Sequence, residues 1–177
     1  MIIEKINQNL SLNYITDNLT DIAFSFLARR KGTCLLYLVD SRTQKLSLFK
    51  AKKEDQGLII KAKEGDVFDH WVLRHATPLL VEDVKNDFRF DPEKLKKQDL
   101  RPIRSLVSAA FINEHSFLGL LRLDNSVKNF YAQSDLRLLA VISDIGTVAV
   151  ENSQLFQKTR ELAIHDGLTL LYTKGYF

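Results

Sequence analysis

SLVSAAFINEHSFLGLLRLD, residues 105–124, holds two runs rich in apolar and small residues, 105–112 and 117–124, joined by the polar Asn113-Glu114-His115-Ser116. Runs of this length bounded by a turn cluster read as two strands. Gly119 inside the second run predicts close approach of another backbone, or a bulge.

Upstream, residues 34–39, CLLYLV, are apolar on both faces, the pattern of a central strand covered on each side. A polar turn at 40–44 leads to a second strand at 46–53. After a turn at 54–57, Leu58, Ile60 and Ala62 alternate and predict a third strand that completes a meander. Asp66 is placed to N-cap a short helix carrying Phe68, Trp71 and Val72. Pro78 closes that helix and opens a short strand at 78–81. A loop at 82–91 holds Phe88 and Phe90, and residues 92–100 read as a short charged helix with proline in its first turn.

The two ends of the chain read as helix. Residues 2–29 carry Ile3, Ile6 and Leu10 on one face, and Ile15, Leu19, Ile22 and Phe26 continue the stripe. Thr16 or Asp17 could break or re-cap that helix, and Gly32 ends it. Ser134 is placed to cap the last helix. The order of elements gives an α+β class: an antiparallel sheet of five to six strands, N- and C-terminal helices on one face, and crossover segments on the other.

The last helix outruns this core. Ile145, Asn152 and Thr159 fall at a, and Val148, Leu155 and Leu162 at d, of a heptad seam. Asn152 at an a position is costly opposite an apolar side chain and tolerable opposite another Asn. It therefore favours a parallel, in-register homodimer. Alternatively, Val148, Leu155 and Leu162 pack on the first helix of their own chain; both hold together in a four-helix bundle of two subunits.

Composition narrows the classes. Apolar residues make up 45% and charged residues 27% of the 177, the profile of a globular domain rather than a disordered chain. No apolar run approaches the ~20 residues of a membrane span, and the N-terminus carries no secretory signal. A single cysteine, Cys34, excludes an internal disulfide and predicts a cytoplasmic setting. Lys50, Lys52, Lys53, Lys61 and Lys63 cluster on the hairpin, read as solvated edge protection rather than a nucleic-acid surface.

Gly65 before Trp71-Val72, Pro78-Leu79 leading to Val81-Glu82-Asp83-Val84, Asp87-Phe88-Arg89-Phe90, residues 105–110, Leu118-Gly119-Leu120-Leu121, Tyr131 with Asp135, and Asn152 occur in an order that resembles the GAF domain. GAF domains are small-molecule sensors and dimerisation modules. Asp166-Gly167-Leu168-Thr169, Leu171 and Phe177 resemble the opening of a GGDEF domain, the catalytic domain of diguanylate cyclases. Leu170 replaces its glycine, Thr173 the asparagine that helps hold the guanine base, and Lys174-Gly175 two arginines. The expected organisation is an N-terminal helix at 1–18, a GAF-like sensor at 19–152, a coiled-coil connector at 153–165 and the start of a GGDEF-like domain at 166–177. The fragment is expected to be non-catalytic. GTP and Mg belong to the output domain that follows, in a parent that would be a diguanylate cyclase of cyclic di-GMP signalling.

The resemblance places any small-molecule effector between the sheet and the crossover segment. Pocket candidates are Tyr37, Leu48, Phe68, Trp71, His75, Phe88, Phe90 and Ala109, with core packing the competing reading for the aromatic residues. No cofactor is assigned. His70 and His75, five apart, lack the i, i+4 spacing of a helical metal pair. Asp66-x-x-Asp69-His70 and Glu114-His115 bring carboxylates near imidazoles but are read as solvated polar turns. Cys34 reads as a buried small hydrophobe. The Cys-His pair that carries bilins, the several cysteines of the GAF-type reductases and the Asn-Lys…Phe…Asp-Glu signature of cyclic-nucleotide binders are absent from the sequence.

Overall fold

The computed structural model describes residues 11–97 and 101–174. Its sheet has five strands, β1 (Thr33–Val39), β2 (Leu46–Lys53), β3 (Leu79–Val81), β4 (Ser105–Ile112) and β5 (Phe117–Asn125). They lie in the order β2-β1-β5-β4-β3 and every pair is antiparallel. The class is α+β, as the order of elements predicts. The opening stretch forms the β4–β5 hairpin, with Ser105 opposite Asn125 and Ile112 opposite Phe117. Gly119 lies opposite Leu38 of β1, and a Cβ there would fall onto the carbonyl of Tyr37. The close approach read from the sequence is therefore to β1.

The third strand of the expected meander does not form. Residues 58–62 carry no regular secondary structure and lie outside the sheet, and the Leu48 N–H donating to the Lys63 carbonyl at 2.7 Å ties the end of this segment to β2. Their alternation is real: Ile60 is buried with Leu35, Tyr37 and Leu120, and Ile59 is exposed. The segment crosses over one face of the sheet, so the period of two reports packing on that face and not a ladder.

Helix α1 (Leu12–Ile22) continues as a π-type turn over Ala23–Leu27. Its cap is Ser11, whose Oγ accepts the Tyr14 N–H at 3.2 Å. Thr16 does not break the helix, because its hydroxyl bonds back to the Leu12 carbonyl at 2.7 Å. Leu19, Ala23 and Leu27 face the core while Ile22 and Phe26 are exposed. Ile3, Ile6 and Leu10 lie outside the described residues. The hairpin lysines are partly engaged: Lys50 pairs with Asp17 at 2.9 Å and Lys52 with Asp21 at 2.6 Å, tying β2 to α1.

Helix α2 (Val67–His75) and the short α3 (Pro92–Lys97) occupy the crossover between β2 and β4. Helix α4 (Gln133–Lys174) is 42 residues long and continues past residue 165, the expected end of the connector. Ser134 is not its cap; Asp135 reaches back to accept the Ala132 N–H at 2.8 Å. Strand alternation then divides the core. Cys34, Leu36, Val107, Ala109, Phe111, Leu121 and Leu123 face the terminal helices, and Leu35, Tyr37, Leu106 and Leu120 face the crossover. Among the described residues no helix is long and apolar enough to cross a membrane.

Candidate functional site

The crossover face is filled by the chain's own side chains. Phe68 and Val72 of α2 are buried with Leu79, Val81, Phe90 and Leu106. Phe68 and Phe90 meet edge to face at 4.7 Å, a favoured aromatic geometry. Trp71, half-buried, stacks on the exposed His75 at 4.1 Å between ring centres. Tyr37 is buried and donates its hydroxyl to the Ala62 carbonyl at 2.8 Å, holding the 58–62 segment down, and Leu48 packs half-buried in the same cluster.

Two pocket candidates stand apart. Phe88 is 98% exposed on the 82–91 loop. Ala109 faces the terminal helices, because Ser108 and Ala110 take the other side of β4. The candidates therefore form no single cavity: Tyr37, Leu48, Phe68, Trp71 and Phe90 line a packed layer, with His75 at its rim.

Under that layer lies a chain of buried charges that the sequence reading took for solvent-facing turns. Asp66 caps α2, accepting the Phe68 N–H at 3.0 Å, while Asp69 accepts the Asp66 N–H at 2.9 Å. This reciprocal capping box draws both carboxylates inward. Arg122, projecting from β5, meets them: its Nη1 donates to Asp66 Oδ1 at 2.7 Å and to Asp69 Oδ2 at 2.9 Å. Its Nε donates to Asp124 Oδ2 at 3.1 Å. Asp124 also accepts from Thr33 and from the Arg101 guanidinium, which in turn donates to the Thr33 hydroxyl at 3.1 Å. Asp66, Arg122, Asp124 and Arg101 thus alternate in sign along one path. The Arg122 guanidinium also lies 5.2 Å from the centre of the Phe68 ring.

Burial and pairing split the two capping carboxylates. Burial works against ionisation of Asp66, but the charge and hydrogen bond of Arg122, the Phe68 N–H and Arg101 together hold it below the usual carboxylate range. Asp69 is pushed up to about 7, first by burial and then by the neighbouring Asp66, against the pull of Arg122. Burial disfavours the charge on Arg122 too, yet Asp66, Asp69 and Asp124 raise it well above its ordinary value, so it stays charged. Sequence reasoning missed Arg122. The available signal was one arginine inside the apolar run 118–123, on the face of β5 shared with Leu120.

Beside this path opens a cavity of about 670 Å³, lined by Leu58, Ala62, Asp66, His70, Arg101 and Pro102 among others. A smaller recess of about 230 Å³ adjoins it, sharing Leu58, Arg101 and Pro102 and reaching Asp124. Among the described residues no three His, Cys, Asp or Glu side chains gather as a metal site. Cys34 is fully buried, and burial pushes its thiol pKa far up, so it is no nucleophile in the folded chain.

The second functional feature is α4. Its inner face buries Leu136, Leu139, Ser143, Gly146, Thr147, Val150 and Ser153. At Gly146 the crossing is close enough that a Cβ would stand 2.9 Å from the Phe111 ring and 3.2 Å from Leu19. The seam lies on the opposite side. Val148, Leu155 and Leu162 are 58%, 57% and 61% exposed, so they do not pack on α1. Ile145, Asn152 and Thr159 are exposed with them, and Leu138 and Val141, also exposed, extend the same a and d spacing one heptad toward the N-terminus. Tyr14 and Ile22 on α1 and Phe26 on the π-type turn add exposed apolar surface.

No protein-family model and no curated protein matches the chain. Solved structures do. The third GAF domain of a Synechocystis protein, in its photoproduct state, superposes with a TM-score of 0.66 at 18% identity, over 84% of this chain and 99% of that one. A domain of a sensor histidine kinase protein from Sinorhizobium meliloti gives 0.65 at 14% identity, over 84% and 97%. The GAF domain of an Acinetobacter phosphoenolpyruvate-protein phosphotransferase gives 0.63 at 14% identity, over 86% and 92%. The chain has the fold of these GAF domains.

Proposed function

We propose that the chain is a non-catalytic regulatory domain that dimerises in parallel through α4 and passes a small-molecule signal along that helix to a GGDEF output. The observation that carries this reading is the line of Leu138, Val141, Ile145 and Val148, exposed on one side of a helix whose other side is buried as far as Ser153, and continued by the exposed Leu155 and Leu162. So long an apolar stripe on a surface marks an interface. Asn152 inside it selects a second copy of the same chain, in register, as the partner. Parallel pairing brings together whatever follows each helix. The likeness of residues 166–171 to the start of a GGDEF domain supplies the output, since a cyclase makes its product between two active sites.

Regulation follows from the packing of α4. Its first half is seated on β4 and α1, so a change at the sheet alters the angle or rotation at which the two helices meet. Sedimentation equilibrium tests the reading: the wild type runs as a dimer, and Leu155→Asp runs as a monomer with an unchanged circular-dichroism spectrum. A wild-type chain that stays monomeric at all concentrations contradicts it. The packed layer of Phe68, Val72 and Phe90 favours a second reading, a ligand-free dimerisation or protein-interaction module with a degenerate output.

A further inference from the structure

We propose that the cavity at the start of α2 binds a small zwitterion, with a primary ammonium on Asp66, a carboxylate on Arg101, and an aliphatic portion against Leu58, Ala62 and Pro102. This names the effector class for the regulatory reading above and rests on it only for its consequence. The site differs from the space between sheet and crossover, which Phe68, Val72 and Phe90 fill.

Asp66 and Arg101 are the two ends of the alternating path Asp66–Arg122–Asp124–Arg101, and both line the same cavity. Asp66 Oδ2, Asp69 Oδ1 and Arg122 Nη2 are buried without a hydrogen-bond partner, and of these three residues only Asp66 lines the cavity. Asp66 is 5% exposed, and its Oδ2 accepts no hydrogen bond although Oδ1 takes two. A buried carboxylate oxygen without a donor is costly, and a donor arriving in the cavity relieves it. The lining carries side chains of both signs, Asp55 and Asp66 with Lys61 and Arg101. Arg101 spends Nε and Nη2 on Asp124 and Thr33, which leaves Nη1 for an acceptor. An ammonium alone would feel Arg101, and a carboxylate alone would feel Asp66; a molecule carrying both satisfies each. The volume of about 670 Å³ is ample for an amino-acid-sized ligand.

Isothermal titration of the chain with L-leucine, 3-methylbutylamine and 4-methylpentanoate tests this, because the last two each lack one charged group of the first. L-Leucine is expected to bind saturably, and each analogue at least about ten-fold more weakly. Ala62→Leu narrows the cavity while its carbonyl still accepts the Tyr37 hydroxyl, and is expected to lower leucine affinity at least about ten-fold with an unchanged melting curve. Equal binding of the amine or the acid alone, full leucine affinity in Ala62→Leu, or no saturable leucine binding overturns the proposal. Sedimentation of the same samples separates the two claims: a monomer that binds leucine removes the dimer reading and keeps this one, and a dimer that does not bind does the reverse.

Discussion

Arg122 Nη1 donates to Asp69 Oδ2 at 2.9 Å, with both side chains wholly withdrawn from solvent. The pairing is incomplete in free-energy terms. Burial leaves the Asp69 pKa at about 7, far above the ~3.9 of an unfolded aspartate. A carboxyl group whose folded pKa is raised contributes stability that is fully present below its unfolded value and is lost as pH rises through the folded one.

The melting temperature is therefore expected to fall between about pH 5 and pH 7.5, and Asp69→Asn to flatten that slope. Carboxylates held low, among them Asp66 and Asp87, act in more acid solution and leave this window to Asp69. The Asn side chain can still accept the Asp66 N–H, so the helix cap survives. Circular-dichroism melts of both proteins across the window make the comparison, and equal slopes would remove Asp69 as the source.

Removing Arg122 isolates buried carboxylates. Arg122→Met is expected to cost about 3–5 kcal/mol, the range for breaking a buried ion pair from one side. Adding Asp66→Asn and Asp69→Asn should recover a large part of that loss, because the stranded charges go too. Urea denaturation of the single and triple variants reads the difference.

Phe88 and Phe90 are two residues apart and should behave oppositely. Phe90 is buried against Phe68, so Phe90→Ala is expected to cost about 3–5 kcal/mol. Phe88 points into solvent, and Phe88→Ala should stay within about 0.5 kcal/mol of wild type. Denaturant midpoints of the two variants decide it.

Cys34 is enclosed by the helix-side core, and its thiol is held protonated. Iodoacetamide is expected to leave the native protein unlabelled and to label it fully in denaturant. Mass spectrometry of both samples checks this.

The sheet was legible where periodicity and turn chemistry agree, as in the hairpin around Asn113 and the apolar run of β1. It misled at residues 58–62, where alternation came from packing over a face. The capping role of Asp66 was readable from its place before Val67-Phe68, but its burial was not, since that depends on Arg122 arriving from 56 positions away. The heptad seam could be read because it is a local repeat. That Leu138 and Val141 belong to it became visible only once the inner face of α4 was fixed by Leu139 and Gly146. Ala109 was assigned to the wrong side of β4 because its strand is apolar on both faces, which erases the alternation.

Oxidative cross-linking at a d position reads out whether the two α4 helices run parallel and in register. In a parallel, in-register pair, equivalent d residues face each other at a separation a disulfide can span. Leu155→Cys, in a Cys34→Ser background, is expected to form a covalent dimer under mild oxidation, while Gln157→Cys, two positions along and off the seam, does not. A dimeric protein in which Leu155→Cys fails to cross-link would contradict the parallel seam.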